Sequence, residues 1–159
     1  MELLAVRPYK QRPSYCGPAC LKMVAAYFGK SVSELTLGRL AGTTKKHGTP
    51  PGGLVRAAES IGFETRLLEE ASLADLQRQL KRKVPVIVNW FSTDEGHYSV
   101  AVGLDEKDIF LQDPDIGRRR KMSREKFVRV WFDYSGECPK KGLFRSRLML
   151  VITPKGWKG

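Results

Sequence analysis

Apolar residues recur at helical spacing through the first sixty positions and at strand spacing through most of the remaining hundred or so, and this change of period restricts the chain to a narrow set of folds. From Cys16 to Phe28 the apolar positions Ala19, Cys20, Met23, Val24, Tyr27 and Phe28 follow the helical repeat, and Gly29 is a natural stop. A second helix is predicted from the capping residue Ser33 to Leu40, and a third from Leu54 to Ser60. The breaker-rich GTTKKHGTPPGG between them reads as a loop. Phe63–Leu68 reads as a strand, 72–83 as a helix capped by Ser72 with Asp75 at N3, and Val84–Phe91 as a buried strand. After the polar turn STDEG, His97–Leu104 and Ile109–Gln112 form a predicted hairpin. Ser123–Phe132 reads as a helix, DYSGECPKKG as a loop and Leu148–Thr153 as a closing strand. Helices first and strands mostly later imply an α+β arrangement, with N-terminal helices packed on a mainly antiparallel sheet.

The 159 residues suit one domain, expected to span 1–159. Hydrophobic and charged fractions of 42% and 28% are those of a folded globular chain and argue against disorder. No apolar run reaches the roughly 18 residues of a membrane span, and MELLAVRPYK lacks the apolar core of a secretory signal, so a cytoplasmic location is expected. Three cysteines cannot all pair internally, which fits free thiols in a reducing compartment. The formal charge of +11 arises partly from Lys81-Arg82-Lys83 and Arg118-Arg119-Arg120-Lys121. These runs read as solvated faces, with attraction of an acidic partner as the alternative. Neither zinc-finger spacing nor an aromatic-basic RNA motif accompanies them, so no nucleic-acid partner is expected.

A nucleophilic thiol must ionise, and the positive end of a helix dipole favours the thiolate. Cys16 stands at such a helix start. Gly17 after it permits close backbone approach, and Pro18 forfeits a first-turn amide that has no helical partner anyway. Cys20, one turn on, reads as core. The sequence holds two histidines; His97 opens an apolar strand that would fix its ring, while His47 lies in the breaker-rich loop and reads as solvent-exposed. Asp113 ends the strand expected to pair with that of His97, and Pro114 stiffens the turn beyond it, so the carboxylate is placed to orient the imidazole. Gln11, five residues before Cys16, offers a side-chain amide to a developing oxyanion. Trp90 and Phe91, at a strand end near the same turn, read as core or rim packing, with a place bordering the site as the alternative. No metal or other cofactor is expected, because the histidines and cysteines match no ligand spacing.

The blocks QRPSYCGPACLKMV, GHYSVAVG and LQDPDIG, in this order, resemble the C39 and C39-like cysteine peptidases over nearly the whole chain. The resemblance implies a papain-like fold with Cys16 as nucleophile, His97 as base, Asp113 as its orienter and Gln11 as oxyanion donor. Gln11 precedes Cys16 by one residue less than is usual in that family. The better-known members are exporter domains that cut leader peptides after a double glycine. Because the chain has neither a membrane segment nor a GxxxxGK[ST] loop, the expectation is a stand-alone member.

The leading expectation is thiol-dependent hydrolysis of a peptide bond in a peptide or protein substrate, with an acidic substrate suggested by the charge. Acyl transfer to an amine or thiol, or an amidase activity, would use the same thioester. A catalytically silent module that binds an acidic peptide is the third reading.

Overall fold

The structure, a computed structural model, describes residues 1–93, 95–134 and 144–159. Three helices come first: α1 (Cys16–Tyr27), α2 (Glu34–Ala41) and α3 (Pro51–Ser60). Strand β1 (Phe63–Leu68), helix α4 (Leu73–Lys81) and strands β2 (Val86–Phe91), β3 (Gly96–Leu104), β4 (Asp108–Asp113) and β5 (Arg118–Ser123) come next. Helix α5 (Arg124–Val130), the short strands β6 (Phe132–Tyr134) and β7 (Phe144–Ser146), and β8 (Leu148–Pro154) complete the order.

Local chemistry sets most helix boundaries. Ser33 accepts from the Thr36 amide ahead of α2, and Gly42 ends that helix in the left-handed conformation. Ser72 and Asp75 form a reciprocal capping box on α4, and Ser123 caps α5 through the Lys126 amide. Helix α3 begins at Pro51, earlier than the expected Leu54, because a proline in the first turn has no amide to lose and its φ suits a helix. Helix α5 stops at Val130 rather than Phe132, which belongs to β6. The run RRRK, read as a solvated face, lies in β5, a strand the sequence reading lacked. Of the segment expected as a loop over 133–142, Asp133 and Tyr134 belong to β6, while 135–142, with Cys138, lies outside the described residues, as does Asp94 of the expected STDEG turn.

Strands β1, β8, β2, β3, β4 and β5 form one six-stranded sheet in that order, and every pairing is antiparallel. Helix α1 packs on β3 and against α2 and α3, and Leu21, Leu37, Leu54, Ile87, Leu111 and Leu150 are fully buried in the core. The architecture is thus the expected α+β one: N-terminal helices on an antiparallel sheet.

Candidate active site

Cys16 is the first residue of α1, so its amide and that of Gly17 point out of the helix without helical acceptors. The first turn contains no acidic residue to oppose a negative charge there. A Cβ on Gly17 would lie 3.0 Å from that of Thr49, so the glycine lets the chain before α3 close against the cysteine. Cys20, one turn on, is fully buried, and burial holds its thiol well above the ordinary range. Cys16 and Cys20 are both free thiols.

Strand register brings the remaining groups to Cys16. Trp90 pairs directly with His97 across β2 and β3, which places both side chains on one face of the sheet. Val100 pairs with Gln112, which carries Asp113 level with Ser99 and therefore onto that same face. There His97 Nε2 lies 2.5 Å from Asp113 Oδ1, with His97 8% and Asp113 1% exposed. The other ring nitrogen, Nδ1, is the one left for Cys16. Burial alone would depress the imidazolium, but hydrogen bonds to Asp113 and Cys16, and the negative charges of both, raise its pKa to about 10. Burial likewise works against the Asp113 carboxylate. Its bond from His97, the imidazolium charge, Arg120 and the Asp115 amide outweigh burial and hold it below the usual carboxylate range.

In the sequence Arg120 is only one member of a basic run. Arg118 pairs with Asp113, so Arg120, two residues on, leaves the sheet on the face of Asp113. Its Nε donates to Asp113 Oδ2 at 2.7 Å, and its guanidinium lies 5.8 Å from the Trp90 ring centroid. Trp90 meets the His97 ring edge to face at 5.5 Å and donates its Nε1–H to Ser99 Oγ. Phe91 faces away from this cluster and stacks on Phe132 and Tyr134. A strand period in RRRKMS, with Met122 buried, is the signal that would have turned Arg120 inward.

Gln11 reaches the site through two anchors. Its amide donates to the Pro114 carbonyl, beside Asp113, and the adjacent Arg12 binds buried Glu34 through both its backbone amide and its Nε. The Gln11 Nε2 makes a long 3.3 Å bond to the Arg12 carbonyl, while Oε1 is buried without a hydrogen-bond partner.

Cys16, His97 and Gln11 share a cleft of about 650 Å³. The 44–48 turn, with Lys45, Lys46 and His47 exposed, forms one lip. Asp133 and Arg145 of β6 and β7, 3.7 Å apart, line another part. A Cβ on Gly96 would meet the Asp133 carboxyl at 2.1 Å, so only glycine lets that carboxylate lie beside the strand carrying His97. Burial raises the Asp133 pKa against bonds from the Tyr134 amide, the Arg145 charge and the Asn89 amide. Among the described residues, no group of three or more histidine, cysteine or acidic side chains is arranged to hold a metal ion.

The model of the peptidase C39 family matches residues 8–141. The chain belongs to the peptidase C39 family. It is 39% identical over 121 residues to the transport/processing ATP-binding protein ComA of Streptococcus pneumoniae, a match covering 73% of this chain but 16% of ComA. It is 37% identical over 122 residues to an uncharacterised protein of Methanothermobacter thermautotrophicus, covering 76% of this chain and 80% of that protein. The crystal structure of the Streptococcus ComA peptidase domain superposes with a TM-score of 0.73 at 26% identity, covering 94% of this chain and 99% of that one. A C39-like peptidase structure from Bacillus anthracis reaches the same TM-score at 18% identity, covering 96% and 97%, which shows a common fold.

The papain-like architecture expected from the three sequence blocks is therefore that of C39 peptidase domains. Of the four residues singled out in the sequence, His97 and Asp113 are joined by a side-chain hydrogen bond, and Cys16, His97 and Gln11 line the same cleft. His47 is exposed on the lip. No helix among the described residues is long and apolar enough to cross a membrane.

Proposed function

We propose that this C39 family member is a thiol peptidase that cleaves peptide bonds with Cys16 as nucleophile, His97 as proton carrier and Asp113 as the group that orients it. The observation that carries the reading is the bridging imidazole: one ring nitrogen is committed to a buried carboxylate, and the other faces a cysteine at a helix N-terminus. With the proton already held on His97 Nδ1, the Cys16 thiolate attacks the substrate carbonyl carbon. The Cys16 amide and, once its long bond to Arg12 is released, the Gln11 amide donate to the oxyanion. The C–N bond breaks as His97 protonates the departing amine, leaving a thioester. Water then gives up a proton to His97 and releases the acid.

The substrate is a peptide lying along the cleft. Lys45 and Lys46 on its lip, together with the net charge of +11, favour acidic residues on that side. ComA is a transport/processing protein, and a solved relative of this fold is a double-glycine-motif protease bound to its leader peptide, so leader-type peptides head the substrate class to be tried. We take residues 1–159 as one peptidase unit working in a reducing, cytoplasmic setting where Cys16 stays free.

The test is iodoacetamide labelling followed by peptide mapping, in wild type and His97→Ala, with cleavage of a peptide panel alongside. Rapid labelling of Cys16 that slows at least about tenfold in His97→Ala, with cleavage lost in Cys16→Ala, is the expected result. Labelling indifferent to His97, with no peptide cleaved, would leave a binding module on this fold.

A further inference from the structure

Resting on that reading, we propose that Arg120 is a positioning residue: clamped between Asp113 and Trp90, it fixes the Asp113 carboxylate and thereby the ring that His97 presents to Cys16. The contacts close on themselves. His97 Nε2 bonds Asp113 Oδ1, Asp113 Oδ2 accepts from Arg120 Nε, the guanidinium lies toward the face of Trp90, and Trp90 packs edge-on against His97. Strands β2, β3, β4 and β5 each contribute one member.

Oδ1 of Asp113 takes both the His97 ring and the Asp115 amide, and a carboxylate held through one oxygen can still turn about its Cβ–Cγ bond and swing the second. Binding that oxygen from a neighbouring strand removes this freedom, as a charge-assisted bond with fixed geometry does. Trp90 supplies the matching restraint on the imidazole, and its own indole is anchored by the Nε1–H bond to Ser99. Lysine does not reproduce the arrangement, because a point charge neither stacks on the indole nor donates along a fixed plane. The exposure pattern agrees. Arg118, Arg119 and Lys121 are exposed, whereas Arg120 is partly buried, with its Nε on a carboxylate that is 1% exposed.

Three measurements on Arg120→Met, Arg120→Lys and wild type test the assignment. The first is the downfield proton resonance of the His97 ring N–H bonded to Asp113. The second is the Cys16 alkylation rate at pH 7 with and without millimolar guanidinium chloride, and the third is the thermal midpoint. In Arg120→Met the resonance is expected to broaden or vanish, and alkylation to slow about tenfold, the loss of one charge-assisted bond. Free guanidinium restores part of the rate in Arg120→Met, and Arg120→Lys falls between Met and wild type. An unchanged resonance and rate in Arg120→Met overturns the proposal, as does an equal loss in Met and Lys that guanidinium does not relieve and that tracks the thermal midpoint. If Arg120→Met does not fold, Arg120→Lys decides by the same two readouts, a wild-type resonance and rate overturning it. A wild-type rate in His97→Ala would instead overturn the peptidase reading, whatever Arg120 does.

Discussion

The Asp113 carboxylate, 1% exposed, accepts from the His97 ring at 2.5 Å, so the imidazolium and its counter-charge are sealed into the sheet together. Stability should therefore track pH in a defined way. The folded His97 keeps its proton to about 10 against an ordinary 6.5, so its contribution is complete below pH 6.5 and drains away as pH rises through 10. The folded Asp113 titrates below its ordinary 3.8, so its contribution is present above 3.8 and lost as pH falls below it. The difference in thermal midpoint between wild type and Asp113→Asn is expected to be widest from pH 3.8 to 6.5 and to shrink on either side. A difference that stays flat from pH 3 to 10 would falsify the ion pair.

His97 is raised partly by its bond to Cys16 and by the thiolate charge. Replacing the thiol with a hydroxyl, in Cys16→Ser, removes the group that contributes both effects. Imidazole titration observed by NMR should then move downward from about 10. No movement would mean that the cysteine and histidine do not share a proton.

Gly96 gives way to the Asp133 carboxyl, which would stand 2.1 Å from an alanine Cβ. Gly96→Ala is expected to destabilise by about 1–3 kcal/mol through this clash. The double variant Gly96→Ala/Asp133→Ala should recover most of the loss. Additive denaturation midpoints, with no recovery, would place the strain elsewhere.

Glu34 is 4% exposed and holds the Arg12 amide, the Arg12 Nε and the Tyr9 hydroxyl. It therefore tethers the segment carrying Gln11 to α2. Glu34→Ala should cost about 1–3 kcal/mol and lower turnover of any peptide cleaved by wild type, while Cys16 alkylation stays near its wild-type rate. Equal falls in both rates would show that Glu34 supports the whole helix layer rather than the Gln11 segment.

A thioester can pass to water or to an added amine. With hydroxylamine present, a hydrolase is expected to yield mainly the free acid, and an acyltransferase mainly the hydroxamate. Mass analysis of the product decides between them.

Much of the fold was legible because local signals agreed with the tertiary outcome. The Ser33 and Ser72 caps, the Phe63–Leu68 strand and the β3–β4 hairpin arise from residues within a few positions of one another. What escaped depends on long-range pairing. Arg118–Ser123 carries four consecutive cations, a composition of solvated surface, and becomes a strand because β4 offers its edge. The same composition masked the strand period that turns Arg120 inward, and its place beside Asp113 follows from the pairing of Asp113 with Arg118. Asp133 was out of reach for a similar reason, since a carboxylate in a polar stretch gives no hint that a glycine some 37 positions earlier makes room for it.

β1 and β2 never touch through backbone bonds; β8 lies between them and joins both. During synthesis the sheet thus exists as two unconnected pieces until residues 148–154 clear the ribosome. Closure of the sheet is a long-range event, since it pairs residues 63–68 with residues 148–154. A nascent chain that has already displayed Cys16, His97 and Asp113 still lacks the seam that locks their scaffold.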